Sequence, residues 1–132
     1  MVFSDFSQAY DRLSRPWVLD CMSNMGFGER AYKWVSIMLE NTSATTAFNG
    51  WQSSSFPERS GVQKGSPLSP LLYVLAAQPL ASHLRHSAQQ GVSRPITKPG
   101  GHPAPVSQQH ADDTTLHLLQ PSDAQAALDR AA

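Results

Sequence analysis

Residues 106–119 read VSQQHADDTTLHLL, and the fold turns on how that stretch is understood. It leaves a proline- and glycine-rich approach, passes two adjacent aspartates and enters the apolar run LHLL. The pattern predicts a β-hairpin with Asp112 and Asp113 at its turn, where Asp is at home because its side chain bonds its own backbone. A solvated turn explains the pair if the stretch stands alone. The other end of the chain supplies a second meaning. There VFSD predicts the tail of a strand, with Val2 and Phe3 apolar and Asp5 near its close. If the two strands are neighbours in one sheet, Asp5, Asp112 and Asp113 converge; if not, they are three scattered acidic turns.

Convergence has a chemical consequence. Two unit charges about 4 Å apart repel by about 4 kcal/mol at an effective dielectric of about 20, so such a cluster must take up protons or hold a cation. Hard divalent ions with oxygen ligands fit, and Mg²⁺ is typically held by one or two carboxylates plus substrate phosphates. Two such ions stabilise the attacking and leaving oxygens of an in-line phosphoryl displacement. A calcium loop of the EF-hand type is excluded, because neither acidic cluster alternates and closes with Gly and Glu as that loop requires.

Working outward, Pro16 suits a first helical position and Gly26 a stop, with Trp17, Val18, Cys21, Met22 and Met25 at helical spacing between them. A second helix carries Ala31, Trp34, Val35, Met38 and Leu39 on one face and ends near Asn41. Its Met and Trp positions read as core. TSATTAF and WQSSSF flank Asn49-Gly50, a pair that favours positive φ, and predict a two-stranded hairpin. A loop, PERSGVQKGSP, leads to LSPLLYVLAAQPLASHLR, helical in its spacing from Leu68 to Leu84, with Pro79 expected to kink it or end a segment. Residues 91–105, with four prolines and three glycines, read as a loop with too few apolar residues to pack. Ser122 followed by Gln125 is a capping-box signature for a last short helix. The order of elements predicts an α+β fold with helices packed on an antiparallel sheet.

At 132 residues and 40% hydrophobic composition, the chain is one domain's worth with a modest core. Ten basic residues balance ten acidic ones, so composition does not provide the strong electrostatic grip of a free-standing nucleic-acid binder. Cys21 is the single cysteine, which excludes an internal disulfide and a cysteine zinc site and suits a reducing compartment. No secretory signal and no run of about 20 apolar residues is present, so no membrane partner is expected. The reading is a soluble, intracellular protein, cytoplasmic or nuclear.

Three motifs in order, FSDFSQAYDRL, GVQKGSPLSPLLYVLAAQPLA and HADDTTLHLL, resemble the palm of reverse transcriptases, most nearly those of non-LTR (LINE-type) retrotransposons. The resemblance covers nearly the whole chain and implies a polymerase palm-like antiparallel sheet with packed helices, incomplete. It implies an RNA-directed DNA polymerase using Mg²⁺, or Mn²⁺, with an RNA template, a DNA primer and a dNTP as partners of the full-length enzyme. On the matching positions, Asp5 looks like the first metal-binding aspartate, with the Phe6 carbonyl adding a ligand, and Asp112 like the second, beside Asp113. Tyr10 looks like the steric gate beneath the incoming sugar; on its own it reads as a core tyrosine beside Ala9. Gln63, Lys64 and Gly65 are similar to the loop that contacts template and incoming nucleotide. There Gly65 is expected to allow close backbone approach, and the following helix to offer free N–H groups.

His110 stands where the family has Tyr or Phe, and Lys64 where it has Gln. The family's fingers and thumb regions are expected to lie outside these residues, leaving the isolated chain unable to extend a primer. The alternative is a non-catalytic retroelement relic that acts as a binding or structural module. Asp11 reads as a solvated acid at a helix start. His83 and His86 share a helix face but read as solvated surface rather than as metal ligands with His102, His110 or His117.

Overall fold

The structure, a computed structural model, describes residues 2–5, 7–110 and 113–129. The chain forms two compact units, residues 8–76 and residues 1–7 with 77–132.

In the unit of residues 8–76, α1 (Arg15–Asn24) begins with Ser14, whose side chain accepts from the Trp17 N–H, and Pro16 occupies the first turn. Gly26, at φ +77°, stops it as expected. α2 (Glu29–Leu39) packs against α1. Val18, Cys21 and Met22 of α1 and Val35 and Leu39 of α2 are buried. The apolar stripe of α2 is therefore narrower than its sequence pattern. Trp34 is 60% and Met38 54% exposed, which corrects their reading as core: positions 35 and 39, one turn apart, take the packed seam, and their neighbours fall beside it.

A hairpin follows, as predicted. Asn49 (φ +48°) and Gly50 (φ +82°) form its turn. The inner pair is β3 (Ala47–Phe48) with β4 (Trp51–Gln52), and the outer pair is β2 (Ser43–Ala44) with β5 (Phe56–Pro57).

α3 (Leu68–Gln89) is one helix of 22 residues that contains Pro79, so no segment ends there. Buried Leu72 and Ala76 precede the proline and buried Leu84 follows it. Packing on both sides outweighs the one hydrogen bond that a proline removes.

In the other unit, β1 (Val2–Asp5), β6 (Ser107–His110) and β7 (Asp113–Leu116) form an antiparallel sheet in the order β1-β7-β6. Among the described residues β6 lies at an edge, which accommodates its polar sequence SQQH. Along β7, Thr114 and Leu116 are buried while Asp113 is exposed, the period-two pattern of a strand with one packed face. Leu116, Leu118, Val106, Leu84 and Ala124 make the core of this unit.

Residues 91–105 form a loop, as read, and it is tied down by its backbone. The Leu119 N–H donates to the Arg94 carbonyl, Ile96 N–H to His117 and Ala104 N–H to Ile96. Backbone bonding thus secures a segment too poor in apolar side chains to secure itself.

The last helix, α4 (Pro121–Asp129), starts two residues earlier than a capping box with Ser122 as N-cap requires. Ser122 lies within its first turn, and Gln125 bonds the Asp129 carboxylate instead.

Candidate functional site

The β1–β7 register places Val2 opposite Leu116 and Asp5 opposite Asp113. On its other side Asp113 faces His110 across the β6–β7 ladder. The strands that carry the first and third motifs are therefore neighbours in one sheet, the condition on which convergence of the acidic residues depends. Asp112, Phe6 and the side chain of Asp5 lie outside the described residues. Among the described residues, no basic side chain is ion-paired with Asp113. No group of three His, Cys, Asp or Glu able to hold a metal occurs among them either. His86 instead lies 2.7 Å from Gln90, and His83 3.4 Å from Ser87.

The other motif residues belong to the unit of residues 8–76. Tyr10 stacks on Tyr73 of α3, with ring centroids 5.3 Å apart and planes 24° from parallel. This half-buried ring forms one wall of a cleft of about 480 Å³ that Lys64, Gly65, Ser66, Ser69 and Pro70 also line. Tyr10, Lys64 and Gly65 thus share one concavity. Gln63 lines an adjoining cleft of about 310 Å³ with Asp11 and Ser60.

The loop is clasped to the segment that follows Tyr10. The Val62 N–H donates to the Tyr10 carbonyl at 2.9 Å and the Gly61 N–H to the Leu13 carbonyl at 2.9 Å. Lys64 Nζ donates to the Asp11 carboxylate at 2.8 Å. Asp11, read as a solvated acid, is exposed but partnered; only the fold brings residues 53 apart together.

Gly61 is the crowded glycine. A Cβ there would lie 2.6 Å from the Asp11 carbonyl oxygen, and its φ is +77°. Gly65 has the positive φ of a turn, +86°, but open space around it. Within the chain its requirement for glycine is conformational.

Two of the N–H groups at the start of α3 are already engaged. Ser66 accepts from the first two, through its side chain from Leu68 and through its carbonyl from Ser69, and Pro70 has none. The Ser69 hydroxyl in turn donates to the Gln63 carbonyl. The first turn of α3 is self-capped, and its donors serve the loop.

Arg15, unremarked in the sequence, is the staple of this unit. Its guanidinium donates to the carbonyls of Leu39 at 2.7 Å, Gly61 at 2.8 Å and Glu58 at 2.9 Å. An arginine just after a helix cap carries no sequence signal that would have singled it out.

A sheet that joins the first and third motifs, and a loop held beside an aromatic pair, describe an α+β domain with two candidate binding regions. Residues 1–131 match the family model for reverse transcriptase (RNA-dependent DNA polymerase). The chain belongs to the reverse transcriptase family. It is 30% identical over 93 residues to the Retrovirus-related Pol polyprotein from type-2 retrotransposable element R2DM of Drosophila melanogaster, covering 70% of this chain and 9% of that protein. It is 33% identical over 81 residues to the RNA-directed DNA polymerase from mobile element jockey of the same organism, covering 61% of this chain and 9% of the relative. Both relatives are proteins of mobile elements, in line with the non-LTR resemblance, and the chain spans about a tenth of their length.

Proposed function

We propose that this chain is the palm segment of an RNA-directed DNA polymerase and carries its nucleotidyl-transfer site on β1 and β7. The observation that carries the reading is the register that sets Asp5 opposite Asp113. Directly opposed residues in antiparallel strands have Cα atoms roughly 4.5–5.5 Å apart, near enough for two carboxylates to serve one ion. Carboxylates are the hard oxygen donors that Mg²⁺ or Mn²⁺ prefers, so the residue types at this pairing fit the metal that the family uses. Asp5 and Asp112, with Asp113 beside them and the Phe6 carbonyl as a further oxygen, would hold it. When bound, divalent metal neutralises charge on the transferring phosphoryl group.

The remaining roles fall to the loop and the stacked ring. Tyr10, braced by Tyr73, would act as the gate against a 2′-hydroxyl. Lys64 supplies positive charge, and Gln63 and Gly65 supply backbone at the cleft. RNA template, DNA primer and dNTP are the partners in the complete enzyme.

Mn²⁺ binding with and without dTTP tests the reading. Carboxylates that hold metal together with substrate phosphates predict that dTTP tightens Mn²⁺ binding beyond the Mn²⁺·dTTP complex formed in protein-free buffer, and that Asp112→Ala removes the effect. A protein that leaves that complex unchanged refutes it.

A further inference from the structure

The hairpin between α2 and α3 is built apart from the core. Its turn is set by Asn49 and Gly50, and its arms are tied by Ser53 N–H to Thr46 carbonyl at 2.9 Å and by Glu58 N–H to Thr42 carbonyl at 2.9 Å. Every residue from 45 to 60 is exposed. At the tip, Phe48 and Trp51 are cross-strand partners, each 81% exposed. Opposed residues of such a pair present their side chains on one face of the ribbon. Asn-Gly closes the turn without help from either ring, so closing the chain does not explain two large aromatics left in solvent. Exposed apolar groups gathered at one place mark an interaction surface.

The chemistry of the segment selects the partner. Residues 41–57 contain no Asp, Glu, Lys or Arg, and no Val, Ile, Leu or Met. Thr45, Thr46, Gln52 and Ser53 flank the two aromatics in the chain with neutral hydrogen-bonding groups. A surface made to meet another protein's core carries aliphatics, as the exposed Ile37 and Met38 of α2 do. Rings without aliphatic company, and without a carboxylate to repel phosphates, match instead the sequence-tolerant stacking of bases on aromatic side chains. Bases in a duplex have their faces covered, so the matching partner is a single strand. The chain leaving the hairpin runs directly into the Gln63–Gly65 loop.

We propose that Phe48 and Trp51 form a stacking platform for unpaired bases of a single-stranded nucleic acid, which is the template strand if the polymerase reading holds. Because both rings lie in solvent, Phe48→Ala and Trp51→Ala leave the fold intact, and circular dichroism verifies this. The test is fluorescence anisotropy of the 132-residue chain with a 5′-labelled single-stranded RNA 12-mer, the matching DNA 12-mer and the RNA duplex. Stacking is worth roughly 1–3 kcal/mol per base, so each substitution should weaken single-strand binding roughly 5- to 100-fold. Trp34→Ala on α2 should leave it unchanged. Preference for RNA over DNA assigns the platform to the template, and equal affinity assigns it to either strand. Absence of single-strand binding, equal binding of duplex, or hairpin variants that bind like wild type would overturn the proposal. So would loss of concentration-dependent self-association as the only effect of the variants. Mn²⁺ affinity in the same variants separates this failure from failure of the metal assignment, since the hairpin supplies none of its ligands.

Discussion

Replacing Arg15 by Met removes the guanidinium but keeps most of the apolar stem. The Arg15 side chain is only 11% exposed, and two of its acceptors, the carbonyls of Gly61 and Leu39, are partly buried. The bonds to Glu58 and Ser60 are exposed, and water replaces them at little cost. Leaving a buried acceptor without its donor costs about 1–3 kcal/mol. Two such acceptors, both only partly enclosed, give an expected loss of about 2–4 kcal/mol. For a domain of this size that lowers the melting midpoint by roughly 10 °C.

All three tryptophans, Trp17, Trp34 and Trp51, fall in residues 8–76, so urea unfolding followed by their fluorescence reports on the affected unit. Arg15→Lys should recover less than half of the loss, because a single ammonium cannot span the Leu39 carbonyl and those of the Glu58–Gly61 loop together. A loss below about 0.5 kcal/mol for Arg15→Met, or a lysine variant as stable as wild type, would refute the reasoning. Either result would show that the carbonyls find other donors.

Gly61→Ala combines a forbidden approach to the Asp11 carbonyl with a positive φ and should destabilise the chain by at least about 2 kcal/mol. Gly65→Ala, positive in φ but uncrowded, should cost only about 1 kcal/mol; urea midpoints rank the two. The Cys21 thiol is pushed above its ordinary range by burial and, secondarily, by Asp20. The folded state therefore holds its proton to higher pH than the unfolded state does. Stability from this group is complete below about pH 8.5 and falls as pH rises through the thiol's folded value. Denaturant midpoints from pH 7 to 10 should show that decline, and Cys21→Ala should lack it.

Features with a local cause were legible in the sequence. Asn49-Gly50 fixes a turn within two residues, Pro16 and Gly26 bracket one helix, and the apolar ends of VFSD and TTLHLL carry strand character on their own. Features decided by distant contacts were not. Nothing near Trp34 or Met38 says that the seam of α2 is only as wide as Val35 and Leu39. Pro79 is a breaker by local rule and is overruled by packing on either side of it. The Asp11–Lys64 pair and the Arg15 staple join residues tens of positions apart, and the 91–105 segment is tied by the backbone of residues 117–119, just beyond β7. For the site, the motifs named the candidate residues. The pairing of β1 with β7 had to come from the fold.

That pairing matters because the proposed site needs Asp5 and Asp112 to serve a single ion. The most direct measurement is a double-mutant cycle on Mn²⁺ binding by water-proton relaxation, using wild type, Asp5→Ala, Asp112→Ala and the double variant. A shared ion predicts that each single substitution weakens binding and that the double variant loses clearly less than the two losses combined. Independent, additive losses, or single variants that bind as wild type does, would contradict it.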